Sequence, residues 1–229
     1  MKSSYVIALA GQPNSGKSTL FNALTGARQF VANYPGVTVE KKTGYYTYDG
    51  TKFTVIDLPG TYSLTAFSLE ERVARSVILN DDIELVVQVV DSTNLSRSLY
   101  LSFQLLELER PMILVLNMAD AAKKRGIVID TTKLSGELNI PVYSTVARKE
   151  IGIKDLKKGI FEEINKPSKF KDFRLNYEEL EKSIEEIQKI IDDTELSKYY
   201  PARWLAIKYL EGDKEIKDLI EKEKVRIKI

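Results

Sequence analysis

Gly11-Gln12-Pro13-Asn14-Ser15-Gly16-Lys17-Ser18 decides the fold of this chain. The octapeptide fits G-x-x-x-x-G-K-[ST], and its flanks are those the pattern needs. In front of it, Tyr5-Val6-Ile7-Ala8-Leu9-Ala10 is a short apolar run of strand type, and behind it Thr19-Leu20-Phe21-Asn22-Ala23-Leu24 suits a helix. A strand that passes into a helix through such a loop makes a phosphate cradle. Glycines let backbone N–H groups turn inward on a polyphosphate, and the helix N-terminus adds its positive end. Lys17 supplies a mobile charge for the β- and γ-phosphates, while the Ser18 hydroxyl can ligate Mg²⁺. Gly11, Gln12, Pro13, Asn14, Ser15, Gly16 and Thr19 complete the expected phosphate contacts.

Outward from this loop the chain alternates. A helix from Lys17 is expected to stop near Gly26, and residues 27–36, with Asn33-Tyr34-Pro35-Gly36, read as an irregular exposed loop. Residues 37–48 alternate and are rich in β-branched and aromatic side chains. Asp49-Gly50 turns them into Lys52-Phe53-Thr54-Val55-Ile56, a hairpin signal. Ser68-Leu69-Glu70-Glu71 starts a helix to about Leu79. Leu85-Val86-Val87-Gln88-Val89-Val90 and Met112-Ile113-Leu114-Val115-Leu116 are near-continuous apolar runs of the kind buried on both faces of a parallel sheet. A helix over 95–109 lies between them. A helix near 131–138, a strand at 141–143 and a helix over 153–164 follow. The pattern predicts an α/β P-loop domain over residues 1–166: a mostly parallel sheet with one antiparallel hairpin edge. Beyond Lys166-Pro167-Ser168-Lys169, residues 167–229 read as a small all-helical subdomain. Asn176 would cap a helix with Tyr177, Leu180, Ile184, Ile187 and Ile191 inward; a second would hold Trp204, Leu205, Ile207 and Leu210; a third would turn Ile216, Leu219 and Ile220 inward.

Composition bounds the chemistry. The 229 residues are 43% hydrophobic and 29% charged, as in soluble globular proteins. Lys+Arg 34 against Asp+Glu 33 gives a formal charge of +1, so no global field points to nucleic acid or acidic lipid. There is no cysteine and no histidine, so catalysis must run on backbone, hydroxyls, carboxylates, lysines and bound ions, and no tight iron site is expected. No apolar run approaches the ~20 residues of a membrane span.

Further motifs read the nucleotide. Asp57-Leu58-Pro59-Gly60 stands at a strand end, where Asp57 can hold Mg²⁺ through water and the Gly60 N–H can sense a γ-phosphate. Thr38 is the candidate second hydroxyl ligand of Mg²⁺, with Gly36 and Val37 beside it at the nucleotide. Asn117-Met118-Ala119-Asp120 resembles the guanine-reading N-K-x-D motif: the Asp120 carboxylate can accept from guanine N1–H and N2–H₂, a pair that adenine lacks. Met118 stands where lysine is usual and can cover the base without its charge. In Thr145-Val146-Ala147-Arg148 the Ala147 N–H can meet guanine O6, while Val146 replaces a bracing serine.

This set resembles the GTPase domain of the FeoB family of ferrous-iron transport proteins. The resemblance is carried by residues 11–25, by Asn33-Tyr34-Pro35-Gly36-Val37-Thr38-Val39-Glu40-Lys41-Lys42 and by Asp57-Leu58-Pro59-Gly60-Thr61-Tyr62-Ser63-Leu64. In the tail, Arg203-Trp204-Leu205-Ala206-Ile207-Lys208-Tyr209-Leu210-Glu211-Gly212-Asp213 is similar to the family's guanine-dissociation-inhibitor-like subdomain. The resemblance implies a K⁺ ligand at Asn14, with backbone carbonyls from residues 32–34 wrapping over the ion. That fits the absence of a water-orienting glutamine, since Tyr62 stands two residues after Gly60. A monovalent cation near the β–γ bridge could stabilise developing charge there.

Asn14, Lys17, Thr38 and Gly60 are therefore the catalytic candidates, with GTP/GDP, Mg²⁺ and K⁺ as ligands. The resemblance implies a slow GTPase regulating Fe²⁺ uptake on the cytoplasmic side of the inner membrane. It would act with a membrane-embedded permeation domain, as a truncated form or as one piece of a split system. Oligomerisation is compatible with this reading and nucleic acid is not expected. Two alternatives stay open: a stand-alone GTPase acting on RNA or ribosomes, and a slowly hydrolysing GTP/GDP switch that works by binding a partner.

Overall fold

The computed structural model describes every residue except Met1, Lys2, Ala27, Asp81, residues 167–173 and residues 228–229. The chain divides into two compact units. The first runs from the N-terminus to residue 172 without Glu107–Glu109, and the second consists of those three residues and the chain from 173 onward. The boundary expected at 166/167 meets residues 167–173, which lie outside the described residues.

The first unit is built on a seven-stranded sheet in the order β2-β3-β4-β1-β5-β6-β7. Its strands are β1 (Ser4–Gly11), β2 (Gln29–Asn33), β3 (Glu40–Tyr48), β4 (Thr51–Asp57), β5 (Leu85–Asp91), β6 (Met112–Asn117) and β7 (Val142–Ser144). Neighbours from β4 through β7 pair in parallel, and only β3 runs against its neighbours. The β3–β4 hairpin closes through Asp49 (φ 47°) and Gly50 (φ 72°), the two positive angles a type I′ turn demands.

The helices are α1 (Lys17–Thr25), α2 (Leu69–Asn80), α3 (Leu95–Leu106), α4 (Ala119–Lys124), α5 (Thr131–Leu138) and α6 (Ile153–Ile164). The central strands β5 and β6 are buried almost end to end and nearly continuous in apolar residues, Gln88 being the polar exception inside β5. Leu9, Val55, Val87 and Val115 pack in one cluster with Leu20, Phe21 and Leu24 of α1 and Leu156 and Ile160 of α6. Truncating one such side chain, Leu156→Ala for example, would cost about 2–5 kcal/mol.

In the first unit three elements depart from the sequence reading. Residues 29–33 form β2 and not an irregular loop, pairing with β3 from Gln29↔Gly44 to Asn33↔Glu40, so the antiparallel edge carries one strand more than the hairpin. Four of its five residues are exposed, which erases the alternation by which a strand announces itself. Helix α3 ends at Leu106 and not near residue 109, since Glu109 takes φ 51° and Pro111 follows. Helix α4 is an element the sequence reading lacked.

The second unit holds α7 (Glu181–Asp192), α8 (Ala202–Leu210) and α9 (Lys214–Ile227). Asn176 Oδ1 accepts from the Glu178 N–H (2.8 Å), but it caps a single 3₁₀ turn. The helix proper starts at Glu181, leaving Leu180 51% exposed instead of inward. Ile184, Ile191, Trp204, Leu205, Ile207, Ile216 and Ile220 are buried as the stripe predicted, Ile187 and Leu219 are half-buried, and Leu210, expected inward, is 39% exposed at the end of α8. Arg203 binds both carboxylate oxygens of Glu181 (2.7 and 2.9 Å), tying α8 to α7.

Candidate functional site

Strand β1 and helix α1 meet at the phosphate loop. Asn14 (φ 65°) and Gly16 (φ 85°) take left-handed conformations that reverse the chain between them. Leu20 is the first residue whose N–H closes a helical bond, to Gly16 O (2.9 Å). The N–H groups of Lys17, Ser18 and Thr19 therefore have no intrahelical acceptor, the condition that makes a helix start an anion site. They face a cleft of about 580 Å³ lined by Gln12, Pro13, Asn14, Gly16, Lys17, Ser18, Thr19 and Gly60. Two expected contacts narrow to backbone. The Gln12 amide donates to Arg97 O (2.8 Å) on α3, and the Ser15 hydroxyl is buried away from the cleft.

The Lys17 ammonium pairs with Asp57 Oδ1, and both side chains are nearly buried. Each neutralises the other where γ-phosphate and Mg²⁺ are the expected partners. Among the described residues no group of three His, Cys, Asp or Glu gathers to hold a metal ion. One carboxylate and one hydroxyl fit Mg²⁺, which keeps its waters and leans on substrate phosphates. Leu58 is buried, its N–H bonded to Leu9 O (3.0 Å), and the Thr61 N–H donates to Gly11 O (3.1 Å). Between them Pro59 and Gly60 are pressed toward the loop: a Cβ on Gly60 would come 3.3 Å from the Pro13 backbone.

Gly36, Val37 and Thr38 are not at the cleft. They form the tip between β2 and β3, closed by Tyr34 N–H to Val39 O (2.9 Å), with Thr38 exposed. Ala32 and Asn33, expected to wrap over Asn14, pair in the β2–β3 ladder opposite Lys41 and Glu40. Tyr62 stacks under the Arg97 guanidinium (4.6 Å) and lines a neighbouring 190 Å³ cleft.

The base-reading end is built around Asn117, the last residue of β6. Its Oδ1 accepts from Thr145 Oγ1 (3.2 Å) and the Ala147 N–H (3.0 Å), and its Nδ2 donates to Ser15 O (3.1 Å). Its own carbonyl accepts from Ser92 Oγ (2.6 Å), a partner the sequence reading missed. One amide thus pins the phosphate loop, β6 and the 145–147 loop together. A Cβ on Gly16 would come 2.2 Å from Asn117 Nδ2, so glycine is required there.

Met118 takes φ 59° as the residue before α4, and its methyl reaches toward Gly16 at the edge of the cleft. Asp120 lies in the first turn of α4, its Oδ1 accepting from the Ala121 N–H (3.0 Å). Its Oδ2 is held by Lys149 Nζ (2.9 Å) and Arg148 Nη2 (3.1 Å). The hydrogen bond from Lys149, reinforced by Arg148, lowers its pKa to about 2, so the carboxylate is ionised at any working pH. A cleft of about 170 Å³ lies here, lined by Gly16, Thr19, Asn117, Met118, Asp120, Ala121, Val146, Ala147 and Arg148. Lys149 escaped the sequence reading and Arg148 drew no role; basic residues just after the Ala147 position were the only signal.

The family model for ferrous iron transport protein B matches residues 5–160, and that for the FeoB cytosolic helical domain matches residues 177–229. The chain belongs to the FeoB family. The Fe(2+) transporter FeoB of Methanocaldococcus jannaschii is 47% identical over 222 residues, covering 97% of this chain and 33% of that protein. The chain thus spans about a third of the length of this FeoB relative. The cytosolic domain of the T. maritima FeoB iron transporter, solved in a GMPPNP form, superposes with a TM-score of 0.91 at 44% identity, covering 95% of this chain and 85% of that one. In GDP form I the TM-score is 0.90, with 96% and 85% covered. These FeoB structures share both the sheet and the helical unit with this chain.

Proposed function

We propose that this chain binds GTP and GDP and hydrolyses GTP, as the cytosolic regulatory part of a ferrous iron transporter. One observation carries the reading. The base cleft and the phosphate cleft share Gly16 and Thr19, so a single groove runs from Asp120 to Gly60 with guanine chemistry at one end and phosphate chemistry at the other. A nucleoside triphosphate fits that order of groups. The T. maritima relative solved with GMPPNP supports the same assignment.

In this reading Asp120 accepts from N1–H and N2–H₂, the Ala147 N–H meets O6, and Met118 covers the base. The α1 N–H groups and Lys17 hold the phosphates, which requires Lys17 to exchange Asp57 for the γ-phosphate. Ser18 and Asp57 hold Mg²⁺, which when bound offsets charge on the β- and γ-phosphates. Thr38 joins them only if the β2–β3 tip moves. Asn14 borders the phosphate cleft, the place of a K⁺ ligand, and Ala32 and Asn33 must leave β2, with Tyr34 leaving the tip beyond it, to complete that shell. With Tyr62 in place of a water-orienting amide, turnover is slow. That residue also favours the second reading, a GTP/GDP switch whose output is partner binding.

Among the described residues no helix is long and apolar enough to cross a membrane, so permeation would fall to a membrane-embedded partner domain. The test is GTP turnover in KCl against NaCl, repeated with Asn14→Ala. The reading expects faster turnover in KCl and loss of that difference in the variant. Equal, negligible rates in both salts would remove the enzyme and leave the switch.

A further inference from the structure

Asp120 has two oxygens, and guanine recognition needs one acceptor on each. In this structure Oδ1 already accepts from the Ala121 N–H, while Oδ2 accepts from both Lys149 Nζ (2.9 Å) and Arg148 Nη2 (3.1 Å). A carboxylate oxygen offers two lone pairs. The two cations therefore use the full acceptor capacity of Oδ2. Arg148 also lines the base cleft itself, and its Nη2 lies at the carboxylate oxygen that an incoming guanine edge must reach. Both cations are exposed surface groups, with side chains 67% and 50% exposed, while Asp120 is 20% exposed. They can leave and return without disturbing the fold.

We propose that Arg148 and Lys149 form a clamp on Asp120 that competes with guanine, loosening nucleotide binding and speeding its release. The inference rests on the guanine reading of Asp120 given above. When guanine binds, at least one cation must give up Oδ2; when the base edge lifts, a cation takes the vacated lone pair before the base can return. Competition of this kind acts on GTP and GDP alike, because both carry the same base. It needs no partner protein to empty the site. The sequence places the two cations directly after the backbone N–H assigned to guanine O6, so the loop that reads the base also carries its competitor.

Exposed ion pairs are individually weak, so the combined effect is about 3- to 10-fold in Kd. The experiment is stopped-flow binding and release of mant-GDP by the full chain in 0.15 M KCl. Arg148→Gln/Lys149→Gln is compared with wild type and with Lys123→Gln/Lys124→Gln. The latter pair removes the same charge from exposed α4 positions with no bond to Asp120. The clamp expects the first double variant to bind about 3- to 10-fold tighter, mostly through slower release, and the second to stay within about twofold of wild type. The exchange Arg148→Lys/Lys149→Arg keeps both charges and restores wild-type release. If Arg148→Gln/Lys149→Gln binds no tighter than the charge-matched control, the clamp is wrong. Asp120→Asn separates the two levels of the argument. Loss of mant-GDP affinity there upholds the guanine reading whatever the clamp does, whereas undiminished affinity would overturn both.

Discussion

Lys17→Met tests the internal economy of the phosphate site. Lys17 and Asp57 are paired with side chains 9% and 5% exposed, so removing the ammonium strands a carboxylate that water reaches poorly. Breaking one partner of a buried pair costs about 3–5 kcal/mol. Because Lys17 also lines the open phosphate cleft, the lower end applies, about 3 kcal/mol. For a chain of this size that is a fall in Tm of roughly 6–12 °C. Asp57→Asn strands the ammonium instead and should cost about as much. The double variant removes both charges and should be far milder than the sum, about 1 kcal/mol, since no charge is left unpaired. Calorimetry of the four proteins, following the transition of the sheet-containing unit, gives the coupling. Additive losses would refute the reasoning, because they would mean the two groups are solvated independently.

Asn117→Ala removes the acceptor of Thr145 Oγ1 and of the Ala147 N–H and the donor to Ser15 O, all buried. We expect a loss of about 3 kcal/mol and a collapse of mant-GDP binding, and a Tm within about 2 °C of wild type would count against the brace. Asp120, held to about 2, keeps its charge as pH falls, so mant-GDP affinity should show no carboxylate step near pH 4, apart from the titration of the nucleotide's own phosphate near pH ~6; the pairs of Asp120 with Lys149 and Arg148 are intact above the ordinary carboxylate range and lost only as pH falls through about 2. A drop in affinity centred near pH 4 would contradict this. In the second unit Glu107 accepts from the Tyr177 hydroxyl, and burial, opposed by Lys208 and Arg203, raises its pKa to about 7. Its folded pKa lies above its unfolded one, so its contribution is full below about pH 4.5 and lost as pH rises through about 7. Glu107→Gln should therefore raise thermal stability at pH 8 by about 1–3 kcal/mol and leave pH 4 unchanged, as unfolding scans at the two pH values will show.

What the sequence made legible follows from where each signal resides. The phosphate loop, the Asp49-Gly50 turn and the apolar runs of β5 and β6 are local patterns, since a turn type or a doubly covered strand dictates its own residues. Strand β2 was not legible, because its order comes from backbone pairing with β3 while Phe30 and Val31 stay 68% and 62% exposed. Helix α4 spans only six residues and begins from Met118 in a left-handed conformation, with no Ser, Thr, Asp or Asn cap to mark it. Asp57 was readable as a charge at a strand end, but not as the partner of Lys17 forty positions earlier. Arg148 and Lys149 reach Asp120 across 28 and 29 residues, a separation over which no local rule operates. The motifs told which groups gather at the site; which of them hold one another is decided by packing.

The Asn117 amide has a consequence for the order in which the chain matures. Its bonds reach back 102 residues to Ser15 and forward 30 to Ala147. A cradle whose motif lies complete by Ser18 is thus left unbraced until β6, β7 and the loop after them have docked. During synthesis that interval is on the order of ten seconds. Contacts of such long span form late, after the entropy of closing the intervening chain has been met. Competence to bind nucleotide should therefore appear as one of the last events in the folding of the first unit, which would make a bound guanine nucleotide a certificate that the sheet is finished.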